Sequence, residues 1–258
     1  MRFKDKVVVV TGAGSGIGLA TARLFAQQGA TVAVNDLQAE TAQRTVDAIV
    51  QAGGQAFALP GDVSDEAGVK ANAALVVKRC GGIDVLVNNA GYMKFAPAEH
   101  YTEWRRMMAV NLDGMFYWAQ AAANLSMIPR RRGVIINVAS GAGLAAVPLD
   151  IGYVTSKHGV VGLTKALAIE WAHYGIRINA LCPGLTETEL MLAMERLEPE
   201  RFVARRQRVP MGRPAKPMEQ AQAIAFMASD EASYVNGLIM NVDGGQMALF
   251  SGNSPRMA

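Results

Sequence analysis

The sequence has 258 residues, 51% of them hydrophobic and 18% charged, and this composition excludes an intrinsically disordered chain. Its net charge of +3 is small and no basic stripe alternates with aromatic residues, so we do not expect nucleic-acid binding. The two cysteines and three histidines lack metal-ligand spacing, so we expect no metal site. No apolar run reaches the ~18 residues that span a bilayer, so we expect a cytoplasmic protein without a membrane span.

Short apolar runs alternate along the chain with longer segments of helical period. We predict strands at residues 6–12, 31–36, 55–63, 83–91, 133–141, 176–184 and 237–245. We predict helices at residues 17–28, 39–52, 65–79, 102–129 and 153–173. Consecutive apolar positions, as in "KVVVVTG", are typical of strands covered on both faces. Helices between such strands indicate βαβ units, so we expect one α/β domain over residues 1–258, with a doubly wound parallel sheet of about seven strands and helices on both faces.

The two longest predicted helices, residues 102–129 and 153–173, carry apolar side chains on more than one side. In an isolated monomer, such helices would expose an apolar patch. We therefore expect them to pack against a second subunit in a homotetramer or homodimer. The alternative is that loops of the same chain cover them.

A glycine-rich turn, "TGAGSGIG" at residues 11–18, follows the first predicted strand and opens the first predicted helix. Its glycines fit the spacing G-x-x-x-G-x-G through Gly12, Gly16 and Gly18. Such a turn leads to a helix N-terminus, where free N–H groups and the helix dipole attract a pyrophosphate and the missing side chains allow a close approach. The turn therefore predicts a dinucleotide site.

Asp36 ends the second predicted strand, 20 residues after Gly16. A carboxylate at this place can accept hydrogen bonds from both hydroxyls of the adenosine ribose, and it repels the 2′-phosphate of NADP. No Arg or Lys lies at positions 35–39 to offset its charge. We therefore expect NAD as the cofactor. The alternative is that Asp36 only caps the helix that follows.

Five further motifs follow the glycine turn along the chain. They are "NNAG" at 88–91, "VNLDG" at 110–114, "NVASG" at 137–141, "YVTSK" at 153–157 and "PG" at 183–184. In this order and spacing, the set resembles the short-chain dehydrogenase/reductase family, and the resemblance extends from Lys6 to about Gly245. It implies a Rossmann-like enzyme that transfers a hydride between a nicotinamide dinucleotide and a CH–OH group.

The same resemblance implies the functional residues. The implied catalytic tetrad is Asn111, Ser140, Tyr153 and Lys157. Asn111 is expected to hold a water that continues a proton path from Lys157 to solvent. The residues expected to bind NAD are Gly12, Ser15, Gly16, Ile17, Gly18, Asp36, Asp62, Val63, Asn89, Ala90, Gly91, Tyr153, Lys157, Pro183, Gly184 and Thr188. Among these, Asp62 and Val63 match the adenine contact, and Thr188 matches the residue that holds the nicotinamide carboxamide.

Tyr153 and Lys157 are four positions apart, which places them on one face of a helix. A free tyrosine has a pKa of about 10, and general acid–base catalysis at neutral pH requires a lower value. We expect the Lys157 ammonium, together with the charge of an oxidised nicotinamide, to lower the pKa of the Tyr153 phenol. Ser140 has no adjacent histidine base, so we interpret it as a hydrogen-bond partner of the substrate oxygen and not as a nucleophile.

Substrate contacts and a lid are predicted with less detail. The expected contacts are Ser140, Tyr153, Met93, Leu185 and Met191, and we predict a lid at about residues 185–217. In the first half of this segment, leucine and methionine recur at Leu190, Met191, Met194 and Leu197. This pattern indicates either an adaptable apolar cover or ordinary core packing. The tail after Gly245 does not resemble a strand, and it either frays or reaches a neighbouring subunit.

The second half of the predicted lid is basic. Its arginines are Arg196, Arg201, Arg205, Arg206, Arg208 and Arg213. One of them, or Lys94, can recognise a carboxylate, sulfonate or phosphate on the substrate. The alternative is that these arginines form a solvated face.

The sequence therefore predicts an NAD-dependent oxidoreductase that interconverts a small-molecule alcohol and its ketone or aldehyde. One alternative is an NADPH-dependent 3-oxoacyl-type reductase, which Asp36 disfavours because its charge repels the 2′-phosphate. Another alternative is a dinucleotide-binding regulator without turnover, which the complete tetrad disfavours. The sequence identifies neither the alcohol nor the direction of the reaction.

Overall fold

The computed structural model describes residues 1–249, which form a seven-stranded parallel sheet with helices on both faces. The strand order is β3-β2-β1-β4-β5-β6-β7, and each neighbouring pair is parallel. The strands are β1 Val7–Thr11, β2 Thr31–Asn35, β3 Gln55–Ala58, β4 Val85–Asn88, β5 Gly133–Val138, β6 Ile176–Pro183 and β7 Ile239–Val242. This topology confirms the predicted doubly wound sheet. Its chain order reverses between β1 and β4, where such sheets have a ligand crevice at the carboxyl ends of the strands.

Helices cover the sheet in two layers. The helices are α1 Gly16–Gln27, α2 Ala39–Gln51, α3 Glu66–Cys80, α4 Trp104–Met108, α5 Gly114–Ala122, α6 Ile128–Arg130, α7 Ile151–Glu170, α8 Glu189–Leu197, α9 Pro199–Gln207 and α10 Pro217–Ala228. Residues of α1, α2 and α10 pack on one face of the sheet, and residues of α3, α5 and α7 pack on the other. Val8 and Val10 of β1 face the first layer, whereas Val7 and Val9 face the second. This double burial explains why β1 is apolar at consecutive positions.

The strands end earlier than the sequence predicts. The run predicted as a strand over residues 55–63 is a strand only over Gln55–Ala58, and Pro60 follows, which has no N–H for a strand ladder. The residues beyond each strand end form loops at the crevice. Several turn and loop residues that were assigned to strands, such as Asp62, Val63 and Asn89, therefore border this crevice.

The helix predicted at 102–129 is interrupted by two π-helical turns. These turns are Ala109–Asp113, between α4 and α5, and Ala123–Met127, between α5 and α6. A π-turn widens one turn of a helix and is frequent at functional sites. Sequence periodicity does not reveal such a turn, because the apolar positions shift by only one residue.

The segment after β6 contains three helices. The predicted lid at 185–217 holds α8 and α9, and α10 begins at its end and packs against α1. Helix α10 was not among the predicted elements. The end of the predicted tail, residues 250–258, lies outside the described residues, whereas Gln246–Ala248 forms a short 3-10 turn. Within residues 1–249, no helix is both long enough and apolar enough to cross a membrane.

Candidate active site

The glycine turn between β1 and α1 requires glycine at three positions. Gly12 and Gly16 have φ angles of +60° and +52°, in the left-handed region that other residues rarely adopt. A Cβ on Gly12 would lie 2.8 Å from the Cα of Ala90. A Cβ on Gly18 would overlap the carbonyl oxygen of Gly12. The turn therefore packs directly against the loop after β4 and against its own helix.

Asn89 fixes the glycine turn from the neighbouring strand. Its Nδ2 donates to the carbonyl oxygens of Thr11 and Gly12, at 2.9 and 3.0 Å. The Oγ1 of Thr11 in turn accepts hydrogen bonds from the N–H groups of Asn89 and Ala90, at 2.9 and 3.0 Å. The Asn89 side chain therefore shapes the turn. Thr11, which the sequence analysis did not single out, ties the ends of β1 and β4 together.

Asp36 lies just beyond β2 and joins the glycine turn to the start of α2. Its Oδ2 accepts a hydrogen bond from the Gly14 N–H at 2.9 Å, and its Oδ1 accepts from Thr41 Oγ1 at 2.7 Å and from the Gln38 N–H at 3.2 Å. A Cβ on Gly14 would lie 2.7 Å from Asp36 Oδ2, so only glycine permits this contact. The carboxylate thus supports the start of α2 and also borders the cavity described below. The structure is compatible with both interpretations of Asp36.

The first residues of α8 contact the N-terminus of α1. Thr188 caps α8 by accepting a hydrogen bond from the Met191 N–H at 3.2 Å, and its methyl group would lie 3.1 Å from a Cβ on Gly16. Glu189 accepts a hydrogen bond from the Gly16 N–H at 3.1 Å. Gly16 is the first residue of α1, where a pyrophosphate is expected to bind. Sequence reasoning missed Glu189, which occupies this N–H with a carboxylate.

Ser140, Tyr153 and Lys157 come together beyond the end of β5. Ser140 begins a 3-10 turn by accepting a hydrogen bond from the Ala142 N–H at 3.1 Å, and it hydrogen-bonds to the Tyr153 phenol. Lys157 is only 3% exposed, and its Nζ donates to the backbone carbonyl of Val138 at 2.8 Å. That Nζ lies 5.5 Å from the centroid of the Tyr153 ring. The helical spacing therefore brings the phenol and the amine to one place, as predicted.

The protein alone does not lower the pKa of the phenol. Burial raises the pKa of Tyr153 above its ordinary value, and the hydrogen bond with Ser140 offsets only part of this rise. Burial lowers the pKa of the Lys157 amine to about 8. The expected lowering of the Tyr153 pKa by Lys157 is therefore absent in the chain by itself, because a buried site disfavours both charged forms.

Asn111 lies in the first π-turn and is fully buried. Its Oδ1 accepts a hydrogen bond from the Tyr92 N–H at 3.0 Å, and its Nδ2 donates to the Tyr92 carbonyl at 2.9 Å. The side-chain amide therefore holds the loop after β4 against the π-turn. The predicted water contact of Asn111 stays a prediction.

A single cavity of about 960 Å³ extends from Asp36 to Tyr153. Every residue that the sequence predicts for cofactor, substrate or catalysis lines it, except Gly18 and Asn111. Gly18 lies beneath the glycine turn, and Asn111 lies behind the loop after β4. At the end of the cavity near Asp36, Asp62 is fixed by the N–H and hydroxyl of Ser64, at 2.9 and 2.7 Å. A cavity of this size is at the upper end of the range for small-molecule sites, about 300–1,000 Å³.

The segment predicted as a lid contributes both apolar and charged groups to the cavity. Leu185, Met191, Phe202 and Val209 form a small buried cluster, with Met194 packed against it. By contrast, Leu197 is 81% exposed and does not belong to the apolar cover. Arg205 and Arg208 line the cavity, whereas the remaining lid arginines that the structure describes do not. The side chains of Leu190 and Arg201, which belong to the predicted lid, lie outside those that the structure describes.

Known proteins are similar to this chain over most of its length. A family model described as enoyl-(acyl carrier protein) reductase matches residues 12–247. Cyclohexanol dehydrogenase of Acinetobacter sp. is 41% identical over 246 residues, covering 94% of this chain and 95% of that protein. A 3-oxoacyl-(acyl-carrier-protein) reductase of Thermotoga maritima is 42% identical over 254 residues, covering 95% of this chain and 99% of that protein.

A solved structure is also similar over most of its length. It is a gluconate 5-dehydrogenase from Burkholderia cenocepacia in complex with NADP and tartrate, with a TM-score of 0.90 and 38% sequence identity. The match covers 96% of this chain and 98% of that chain. The chain belongs to the short-chain dehydrogenase/reductase family and is an oxidoreductase of CH–OH groups.

Proposed function

We propose that this protein oxidises a small or medium alcohol, secondary or primary, with NAD, and reduces the matching ketone or aldehyde in the reverse direction. One observation carries the proposal. Ser140, Tyr153 and Lys157 line the same cavity as the glycine turn and Asp36. This cavity therefore joins an acid–base group to a place for a dinucleotide.

The residues present fit a dinucleotide. Gly12 and Gly16 present no side chain of their own at the turn, and a Cβ on either would meet neighbouring groups within 3.1 Å. The exposed N–H groups of a helix N-terminus suit a pyrophosphate. The Asp36 carboxylate, beyond the neighbouring strand, suits the hydroxyls of a ribose. We therefore assign the adenosine half to the end of the cavity near Asp36, and the reacting half to the end near Tyr153.

The roles of the three polar side chains follow from their contacts. Tyr153 accepts the proton of the alcohol hydroxyl, or donates it in the reverse reaction. Ser140, which hydrogen-bonds to the phenol, holds the reacting oxygen beside it. When bound, the oxidised dinucleotide supplies the hydride acceptor and a positive ring charge. Lys157 adds positive charge 5.5 Å from the phenol ring, although its own pKa is lowered to about 8.

Because its pKa is raised, Tyr153 can act as the base only in the complex with oxidised dinucleotide. Burial disfavours the phenolate in the chain by itself. A positive charge within a few ångströms favours a phenolate, and it does so more strongly in a site that excludes water. We therefore infer that Tyr153 becomes an effective base only when a positively charged ring lies beside it.

NAD is proposed over NADP on the basis of Asp36. Its carboxylate already accepts three hydrogen bonds, from Gly14, Gln38 and Thr41, so it is held in place and cannot swing away from a 2′-phosphate. The rival proposal is an NADPH-dependent 3-oxoacyl-type reductase, which is favoured by the similar reductase of Thermotoga maritima and by the NADP in the similar gluconate 5-dehydrogenase structure. Comparing kcat/KM for NAD and NADP with one substrate separates the two. A preference for NADP would refute the assignment of Asp36.

A screen for turnover tests the proposed function. The purified protein is incubated with aliphatic, aromatic, anionic and sugar-like alcohols and either dinucleotide, and NADH or NADPH formation is followed by absorbance. Oxidation of at least one class with NAD supports the proposal. The opposite result is a protein that binds NAD but neither oxidises any alcohol with NAD nor reduces any carbonyl compound with NADH. That result would favour the alternative of a dinucleotide-binding regulator without turnover.

We also propose a homotetramer or homodimer that works in the cytoplasm. Apolar side chains remain exposed at the long helices: Trp104 is 43% exposed, Leu125 37%, Ile151 43% and Ile169 80%. Burying such groups between subunits removes apolar surface from water. The mass in solution, measured by light scattering, tests this point, and a monomer at micromolar concentration would contradict it.

A further inference from the structure

Two neighbouring arginines of α9 point to different surroundings. Arg206 pairs with Glu195 of α8, with 2.7 Å between Nη2 and Oε2. Arg205 instead lines the cavity that contains Ser140 and Tyr153. Residues three positions apart share a helix face. Accordingly Phe202, Arg205 and Arg208 all line the cavity, whereas Arg206 does not.

Arg205 is held by the buried part of the lid. Its guanidinium carbon lies 5.4 Å from the centroid of the Phe202 ring, and Phe202 is only 1% exposed. A guanidinium over an aromatic face can direct N–H donors sideways, where they can meet a planar acceptor. A guanidinium has five N–H donors, so it can bind a ligand in addition to a protein partner. Arg205 is thus a partly buried cation whose guanidinium packs on the buried ring of Phe202.

The charge of Arg205 acts at the reacting end of the cavity. Its positive charge is one of the influences that lower the pKa of the Tyr153 phenol against the dominant effect of burial. Of the other arginines, Arg208 also lines the cavity, but its charge is not among those that act on the pKa of Tyr153. Arg106 lies at the other end, where its charge acts on Asp62, and Lys94 is exposed and does not line the cavity.

Carboxylates also border this end of the cavity, and they restrict where an anion can lie. Asp243 accepts hydrogen bonds from the N–H groups of Gly245 and Met247, at 2.9 and 2.8 Å. Asp150 is buried at the start of α7, next to the turn that carries Tyr153. Glu198, just before α9, lines the cavity as well. An anionic group therefore has to lie closer to Arg205 than to these three carboxylates.

From this arrangement we propose that the substrate is a hydroxy acid whose carboxylate binds to Arg205, while its hydroxyl lies between Ser140 and Tyr153. The inference rests on the proposed function and names the substrate class of the same site. In the oxidation, the carbinol carbon gives a hydride to the oxidised dinucleotide and the hydroxyl gives its proton to Tyr153. The product is the oxo acid, with its carboxylate unchanged.

The test compares acids with uncharged compounds of the same size. The substrates are 2-hydroxybutyrate, 3-hydroxybutyrate and 4-hydroxypentanoate, each beside its primary amide, with saturating NAD. For the best pair, we expect a higher kcat/KM for the acid in the wild type. The acid-to-amide ratio of kcat/KM falls by roughly 10- to 100-fold in Arg205→Gln, the effect expected for losing a hydrogen-bonded charge pair.

Two further variants control for lid structure. Arg206→Gln removes the neighbouring arginine and its pair with Glu195, and it leaves the acid-to-amide ratio unchanged. Arg205→Lys keeps the charge but not the planar fork, so it retains part of the preference for the acid. If Arg205→Gln does not fold, as judged by its melting temperature, the ratio in Arg205→Lys decides, because an unchanged ratio there would contradict binding through the guanidinium fork.

The outcomes distinguish this inference from the proposed function. If amides and neutral alcohols are oxidised at least as well as the acids, or if Arg205→Gln leaves the ratio unchanged, the inference is wrong and the proposed function stands. If no alcohol of either class is oxidised with either dinucleotide, the proposed function fails and the inference fails with it.

Discussion

Glu189 is expected to compete with the dinucleotide for the N-terminus of α1. Its carboxylate accepts a hydrogen bond from the Gly16 N–H at 3.1 Å, and this N–H belongs to the turn that suits a pyrophosphate. A bound phosphate has to replace the carboxylate at this N–H. The two groups carry charge of the same sign, so they also repel each other. Glu189→Gln therefore strengthens the binding of NAD.

The size of the effect follows from this single exposed contact. Replacing a carboxylate acceptor by an amide removes about 1 kcal/mol of net hydrogen-bond stabilisation from the competing state. This corresponds to an affinity for NAD that is about fivefold higher. The repulsion between carboxylate and phosphate adds to this difference at low salt and is largely screened at high salt, because both groups are exposed to solvent.

Isothermal titration of NAD into wild type and Glu189→Gln measures the effect directly, at low and at high ionic strength. Glu187→Gln is a matched control, because Glu187 is exposed two positions away and its charge acts on Arg213. We expect no change in the dissociation constant for this control. An unchanged or weaker affinity in Glu189→Gln would refute the reasoning.

Three other predictions concern the cofactor, the turn and the buried lysine. Asp36→Asn removes the repelling charge, so the ratio of kcat/KM for NADP to that for NAD rises by at least about tenfold; an unchanged ratio would contradict the role of Asp36. Gly18→Ala places a Cβ against the Gly12 carbonyl and lowers the free energy of unfolding by at least about 3 kcal/mol. Its control is Gly162→Ala, in open space on α7, which raises the free energy of unfolding by about 0.5–1 kcal/mol. Urea denaturation measures both changes. Burial lowers the pKa of Lys157 from 10.5 to about 8, so its charge destabilises the fold fully below pH 8 and this cost disappears as the pH rises to 10.5. The stability of Lys157→Met relative to the wild type therefore falls by about 3 kcal/mol between those pH values, and a flat difference would contradict the buried charge.

The sheet and the end of the cavity that carries the glycine turn were predictable because local patterns determine them. Four consecutive valines imply a strand buried on both faces, and glycines at a strand-to-helix turn imply a helix N-terminus without covering side chains. The i, i+4 spacing of Tyr153 and Lys157 also fixed their common face. In each case the residues that determine the feature are close to one another in the sequence.

The remaining features depend on contacts between distant residues. Glu189 lies 173 positions from Gly16, and no periodicity links them. The opposite directions of Arg205 and Arg206 depend on how α9 packs against α8. The Asn111 side chain is engaged by the Tyr92 backbone because of a π-turn, which the sequence does not reveal. The raised pKa of Tyr153 likewise results from burial by several elements and not from its neighbour in the motif.

The central claim is that the phenol of residue 153 transfers the proton while a hydride leaves the substrate. The rate of NADH formation in a single turnover, compared between wild type and Tyr153→Phe at saturating NAD, measures this step. We predict a loss of about 10²–10⁴-fold, the contribution of a positioned acid–base group. A Tyr153→Phe rate within a few-fold of wild type would contradict the account.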